Sequence, residues 1–221
     1  MKNYLLGLII ILAATTACAQ NNKEEKQEEQ QAQQVQQSKF QEGVHYNVVS
    51  EKASEEPVVT EFFSLYCGHC FQFEAYLDTL KTSINGAKFE KSHVSYIPQN
   101  DSLQGVAIVK AFVMMEELGK MPELSKQFFA RIHLGEEPLT DVAGIKEIFE
   151  ANEVSSSEFD KLFANKSINK KTEDMVQLWQ DRQIMSVPTL VVNDKYRINM
   201  GSVGSMGELI ELTNVLLERK D

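Results

Sequence analysis

Between residues 58 and 65 the side chains alternate. Val58, Thr60, Phe62 and Ser64 fall on one side and Val59, Glu61, Phe63 and Leu65 on the other, which is the period of a strand. Past the Cys67-Gly68-His69-Cys70 stretch the period lengthens. Phe73, Leu77, Leu80 and Ile84 recur at helical spacing, and Asn85-Gly86 supplies the stop. Residues 89–97 read as a second strand. Strand, helix, strand is a βαβ unit, and it places the cysteine pair at the strand-to-helix turn.

From 98 to about 174 the texture turns helical. Val106, Val109 and Val113 mark one helix, Leu124, Phe128 and Ile132 a second, and Val142, Ile145 and Phe149 a third that begins near Thr140. Ser155 with Glu158 forms a capping pattern ahead of Phe159, Leu162 and Phe163. Ile168, Thr172, Met175 and Trp179 line a longer helix. Strands return at 189–192 and 196–198, joined at Asn193-Asp194, and a helix over about 205–218 closes the chain. The pattern predicts an α/β domain, 40–97 and 175–221, interrupted by a helical domain at 98–174.

The amino-terminal residues follow another rule. Lys2 precedes an apolar run and then Thr15-Thr16-Ala17-Cys18-Ala19, a secretory leader over 1–19 that is too short for a stable membrane anchor. Two endings fit. Ala17-Cys18-Ala19 matches an ordinary small-residue cleavage site, and Thr15-Thr16-Ala17-Cys18 resembles a lipobox that would lipidate Cys18. The Gln/Glu/Lys-rich stretch over 20–39 cannot form a core and suits a tether, which favours the lipid reading. Either ending predicts work outside the cytoplasm.

Composition narrows the function. The chain carries 22 Lys+Arg against 32 Asp+Glu with no basic stripe, which argues against nucleic acid as a partner. Three cysteines are too few for a disulfide-stapled scaffold. With Cys18 assigned to the leader, one pair remains. A zinc site would need a second pair of ligands at matching spacing, yet His45, His93 and His133 are scattered singly, so no metal is expected. An inert crosslink closing so short a loop would constrain little of the unfolded chain. A redox pair has a positive physical case. A Cys67 thiolate at a helix amino terminus meets unpaired N–H groups and the positive end of the dipole, and His69 adds a nearby donor or cation.

The motifs together resemble the DsbA family of periplasmic thiol:disulfide oxidoreductases: Glu61-Phe62-Phe63-Ser64, then Cys67-x-His69-Cys70-x-Gln72-Phe73-Glu74, later Val187-Pro188-Thr189 and Val192-Asn193-x-Lys195-Tyr196. The resemblance runs from about residue 40 to the carboxyl terminus and implies a thioredoxin fold with an inserted all-helical domain. It further implies that Pro188 is a cis-proline beside the cysteines, that Val187 lines the substrate site, and that Glu61 is a buried acid that helps move protons, with Lys91 its basic neighbour. Between the cysteines the family's type member carries Pro-His, whereas this chain has Gly68-His69, as protein disulfide isomerases do. The implied function is donation of a Cys67–Cys70 disulfide to unfolded exported proteins with free thiols. A DsbB-like, quinone-coupled membrane oxidase would reoxidise a monomer that needs no further cofactor. A disulfide isomerase or reductase, and a lipid-tethered peptide-binding chaperone or adaptor without redox turnover, are the alternatives.

Overall fold

The computed structural model describes residues 39–99, 102–135 and 138–219. Cys18, the leader and all but the last residue of the tether lie outside these. By contacts the chain divides into Met1–Gln41 and Glu42–Asp221, and the architecture below is that of the second unit. It contains five strands: β1 (Tyr46–Val48), β2 (Val58–Phe63), β3 (Lys88–His93), β4 (Thr189–Val192) and β5 (Tyr196–Ile198). They form one sheet in the order β1-β5-β4-β2-β3, with β2 and β3 parallel and the remaining pairs antiparallel.

All six residues of β2 are buried, because it lies inside the sheet with structure on both faces. The crossover from β2 to β3 is not the single helix that the spacing predicts. It comprises α1 (Gly68–Phe73), one 3₁₀ turn (Glu74–Tyr76) and α2 (Leu77–Ser83). The apolar positions share a face across the break, so periodicity alone could not reveal it. Asn85 (φ 48°) and Gly86 (φ 76°) end the crossover in the left-handed region, the conformation their sequence predicts.

β3 stops at His93 rather than continuing to Ile97. Beyond it the chain leaves the sheet to meet α3 (Ser102–Glu117): a Cβ added at Gly105 would lie 2.0 Å from the Ser95 carbonyl oxygen, an approach only glycine permits. Ile97–Pro98 is cis. The short edge strand β1 has no counterpart in the sequence reading; three residues are too few for a period to show.

Five helices occupy the interval before β4: α3, α4 (Met121–His133), α5 (Val142–Ala151), α6 (Ser156–Phe163) and α7 (Lys166–Asp181). Three starts are capped by side chains: Asp141 accepts from Gly144 N–H, Ser155 from Glu158 N–H and Asn165 from Ser167 N–H. α3 is the central helix, buried on nearly every side through Ile108, Phe112, Met114 and their neighbours. α7 runs unbroken through residue 174, so the expected boundary between helical block and α/β domain falls inside one helix. A last helix, α8 (Met206–Leu217), capped by Ser205, packs on α2 and β4. Phe63, Leu65 and both cysteines join the buried cluster of α3–α6, so the sheet and the helical block share one core.

Candidate active site

The segment between β2 and α1 has its main-chain groups fixed from several directions. Val94 N–H donates to the Phe63 carbonyl (2.9 Å) and Cys67 N–H to that of Ser64 (3.0 Å). Tyr66 N–H donates to Ser64 Oγ (3.1 Å). Leu65 lies between two histidines: its N–H donates to His93 Nε2 (2.8 Å), and His133 Nε2 donates to its carbonyl oxygen (2.8 Å). His93 comes from β3 and His133 from α4, so the two layers hold the successive peptide groups on either side of the Leu65 Cα. Because His93 Nε2 accepts, its proton sits on Nδ1, 2.8 Å from the Val94 carbonyl oxygen. Burial pushes the His93 pKa down to about 3 and holds the ring in that neutral form. His133 also stacks on Phe71, directly after Cys70, with centroids 5.2 Å apart and planes 6° from parallel. Tyr66 OH donates to the Leu139 carbonyl (2.7 Å) and accepts from Gln104 Nε2 (2.7 Å), tying the same turn to the helical block.

Cys67 caps α1 with extended backbone (φ −91°, ψ 113°), and its sulfur accepts from Cys70 N–H at 3.1 Å. The Cys70 thiol and the amides of Cys70 and His69 all favour a charged Cys67. They outweigh burial and bring its pKa from 9.0 down to about 6. His69 is exposed and adds a smaller favourable charge effect. Cys70 is driven the other way, its thiol pKa raised by donating to Cys67 and by its own burial. Cys67 keeps 8% of its surface and Cys70 none. Both sulfurs are free thiols in this structure. Two cysteines three positions apart have been made chemically opposite.

The Val187–Pro188 bond is cis, and the Val187 carbonyl oxygen lies 3.5 Å from Cys67 Sγ. Gly68 opens α1, and a Cβ there would meet nothing within 4 Å. On the other side, Glu61 is fully buried with Lys91 Nζ 3.0 Å from its Oε2, and Lys91 reaches Glu74 Oε1 at 2.5 Å. Lys91 and Glu61 form an ion pair, and among the described residues neither Glu61 oxygen has a well-directed donor. Burial therefore wins over Lys91, and the Glu61 pKa rises to about 7. Desolvation opposes the charge on Lys91, but Glu61 and Glu74 outweigh it and raise its pKa.

The residues singled out in the sequence thus fall into two groups that meet at Cys70, whose thiol feels the Glu61 charge. One comprises Cys67, Gly68, His69, Cys70, Val187 and Pro188; the other is Glu61 with Lys91. Ser64, Tyr66 and Tyr96 carry no role predicted from the sequence, and neither His93 nor His133 was expected to take part in the site. Tyr96 is held by Trp179 (centroids 5.0 Å), and among the described residues its buried hydroxyl has no hydrogen-bond partner. Burial and the two nearby sulfurs raise its pKa to about 12. Of these, only Ser64 stood within the quoted motif; a lone histidine or tyrosine carries no local signal. Among the described residues no group of three His, Cys, Asp or Glu could hold a metal ion, and no helix is long and apolar enough to cross a membrane.

A low-pKa thiol at a helix amino terminus, a buried partner thiol three residues on and a cis-proline loop against the sulfur, all on this sheet, define the thioredoxin-fold thiol:disulfide oxidoreductases. Comparison with known proteins narrows the class. The model of the DSBA-like thioredoxin domain matches residues 58–206, and the chain belongs to that family. The thiol:disulfide interchange protein DsbA of Haemophilus influenzae is 28% identical over 166 residues, covering 72% of this chain and 77% of its own. Its counterpart from Pectobacterium carotovorum is 28% identical over 165 residues, covering 73% and 77%. Among solved structures, Pseudomonas aeruginosa DsbA superposes with a TM-score of 0.68 at 22% identity, over 82% of this chain and 94% of that one. A Proteus mirabilis DsbA variant with a non-covalently bound peptide gives 0.69 at 22% identity, over 81% and 99%.

Proposed function

We propose that the oxidised protein donates its Cys67–Cys70 disulfide to thiols of unfolded polypeptides newly exported to the periplasm. The observation that carries this is the opposite tuning of the two sulfurs. A substrate thiolate attacks Cys67 Sγ, the only one of the two with exposed surface. The Cys67–Cys70 bond breaks, a mixed disulfide forms at Cys67, and the electron pair leaves on Cys70, which takes up a proton. Glu61, with its pKa near 7 and its charge felt at Cys70, is the proton source on this reading, and Lys91 positions it. A second substrate thiolate then attacks the substrate sulfur of the mixed disulfide and releases Cys67 as the favoured thiolate. Two substrate thiols become one disulfide, and the protein keeps both electrons as a dithiol. The peptide bound to Proteus mirabilis DsbA supports a polypeptide substrate. Gly68, Val187 and Pro188 face the incoming chain, and His69 assists the thiolate. Reoxidation falls to a DsbB-like membrane partner that passes electrons to quinone, with no further cofactor. The protein acts as a monomer, tethered through a lipid on Cys18 if that cysteine is processed.

The test compares denaturant unfolding of the two redox forms. A thiolate favoured only in the folded dithiol makes the reduced form the more stable at neutral pH. The Cys67 pKa is depressed on folding, so this advantage is complete above about 9, shrinks as pH falls and is gone below about 6. An oxidised form that is more stable at neutral pH would overturn the donor reading in favour of a reductase.

A further inference from the structure

β3 is an outer strand of the sheet, and its free side can be read residue by residue. Lys88 N–H donates to the Pro57 carbonyl (3.0 Å) and Val94 N–H to that of Phe63 (2.9 Å). Even-numbered residues therefore turn their main-chain groups toward β2, and Phe89, Lys91 and His93 turn theirs outward. His93 N–H ends on Met175 Sδ at 3.3 Å. Among the described residues nothing takes up the outward N–H and C=O groups of Phe89 and Lys91.

Phe89 and Lys91 line a cleft of about 1230 Å³ whose walls are drawn from α2, α3, α4 and α7. Leu77, Met121, Phe129 and Met175 supply apolar surface, while Lys126 and Asp78 supply charge of both signs. Ser92, also in the lining, has a buried hydroxyl with no hydrogen-bond partner among the described residues. The lining also includes Phe71 and Glu74, which follow Cys70 along the crossover.

We propose that this cleft binds an extended segment of unfolded polypeptide, which adds to the sheet as a strand beside β3. The two outward residues offer two donors and two acceptors at strand spacing, the complement of an extended main chain. A second folded copy does not fit the slot, because its own β3 edge lies on the floor of an identical cleft. Mixed charge and apolar walls suit a partner recognised by its backbone rather than by one sequence. The inference rests on the disulfide-donor reading and deepens it. A chain held at β3 while its cysteine searches for Cys67 would exchange at a raised effective concentration.

The probe is reduced, carboxymethylated lactalbumin, an unfolded chain without free thiols, added to the full-length oxidised protein. Amide exchange at Phe89 and Lys91 is expected to slow by roughly two- to tenfold, the net worth of one hydrogen bond each, with Glu90 and Ser92 unchanged. Phe89→Pro removes an outward N–H without touching the β2 ladder and should weaken binding of the probe by a similar factor. Phe89→Ala retains the N–H and should bind the probe more tightly than Phe89→Pro. Unchanged exchange at a saturating probe concentration would overturn the proposal. So would protection that appears on raising protein concentration without the probe, since that would mean self-pairing. Oxidation of an unmodified dithiol polypeptide, assayed in parallel, separates the readings: turnover without edge protection removes this inference alone, and protection without turnover removes the donor reading.

Discussion

From α4 to α6 the buried side chains among the described residues are apolar without exception, with Phe128, Phe149 and Phe159 stacked edge to face at their centre. In and beside β2, β3 and β4 the buried set includes Thr60, Glu61, Ser64, Ser92, His93 and Asn193. One region could be a generic helical core. The other carries a carboxylate, an imidazole and hydroxyls out of water, at a cost that hydrogen bonds and one ammonium only partly offset. The division follows the chemistry: groups that tune sulfur must be close, dry and fixed, whereas a scaffold needs only volume and shape. The two regions meet within one shared core, through the stack of His133 on Phe71, the hydrogen bond from Tyr66 OH to the Leu139 carbonyl and the packing of Phe63 on Phe129.

The largest effect should fall where the chemistry is not. Phe149→Ala removes a fully buried ring from the helical core and should cost about 3–5 kcal/mol of stability in denaturant unfolding. The Cys67 pKa, read from thiolate absorbance, should stay at about 6. A shifted pKa would mean that the two regions are coupled more tightly than their cores suggest.

Glu61 supplies the next effect. Its pKa rises from 4.5 to about 7 on folding, so the folded state holds a proton that the unfolded chain has released. Stability of the oxidised protein, in which Cys67 cannot titrate, should therefore fall as pH rises from about 4.5 to about 7, by on the order of 3 kcal/mol. Glu61→Gln should flatten that slope. A slope that persists would assign it to other groups.

His133 tests the contact itself. His133→Phe keeps the stack on Phe71 but loses the hydrogen bond to the Leu65 carbonyl. It should cost about 0.5–1.5 kcal/mol and raise the Cys67 pKa, because the turn that aims the α1 amides is loosened. His133→Gln keeps a donor and should hold the pKa nearer to about 6. Equal pKa values in both variants and the parent would reduce His133 to a packing residue. The smallest effect belongs to Gly68→Pro. The site is open, α1 begins there, and the favoured geometry of its first position suits proline. A gain of about 0.4–1 kcal/mol is expected from a stiffer unfolded chain, and a loss would show that Gly68 uses its N–H or its freedom.

What the sequence determined is what short-range patterns can hold. Alternation located β2, the Asn193-Asp194 turn set off β4 from β5, helical spacing located the five helices of the block, and the capping pattern at Ser155 marked one of their starts. The motif around Cys67 and Cys70 named the sulfurs, and the resemblance pointed to the bond that the structure shows as cis at Val187–Pro188. Local spacing could not show the break between α1 and α2 or the end of β3 at His93, because both depend on where other elements press. Nor could it show that His93 and His133, 40 positions apart, hold the peptide groups on either side of Leu65, or that β3 keeps a free edge inside a cleft. Those facts belong to packing. A histidine becomes a donor, an acceptor or a bystander according to the atoms the fold sets within 3 Å of its ring, and a strand becomes an edge only once its neighbours are known.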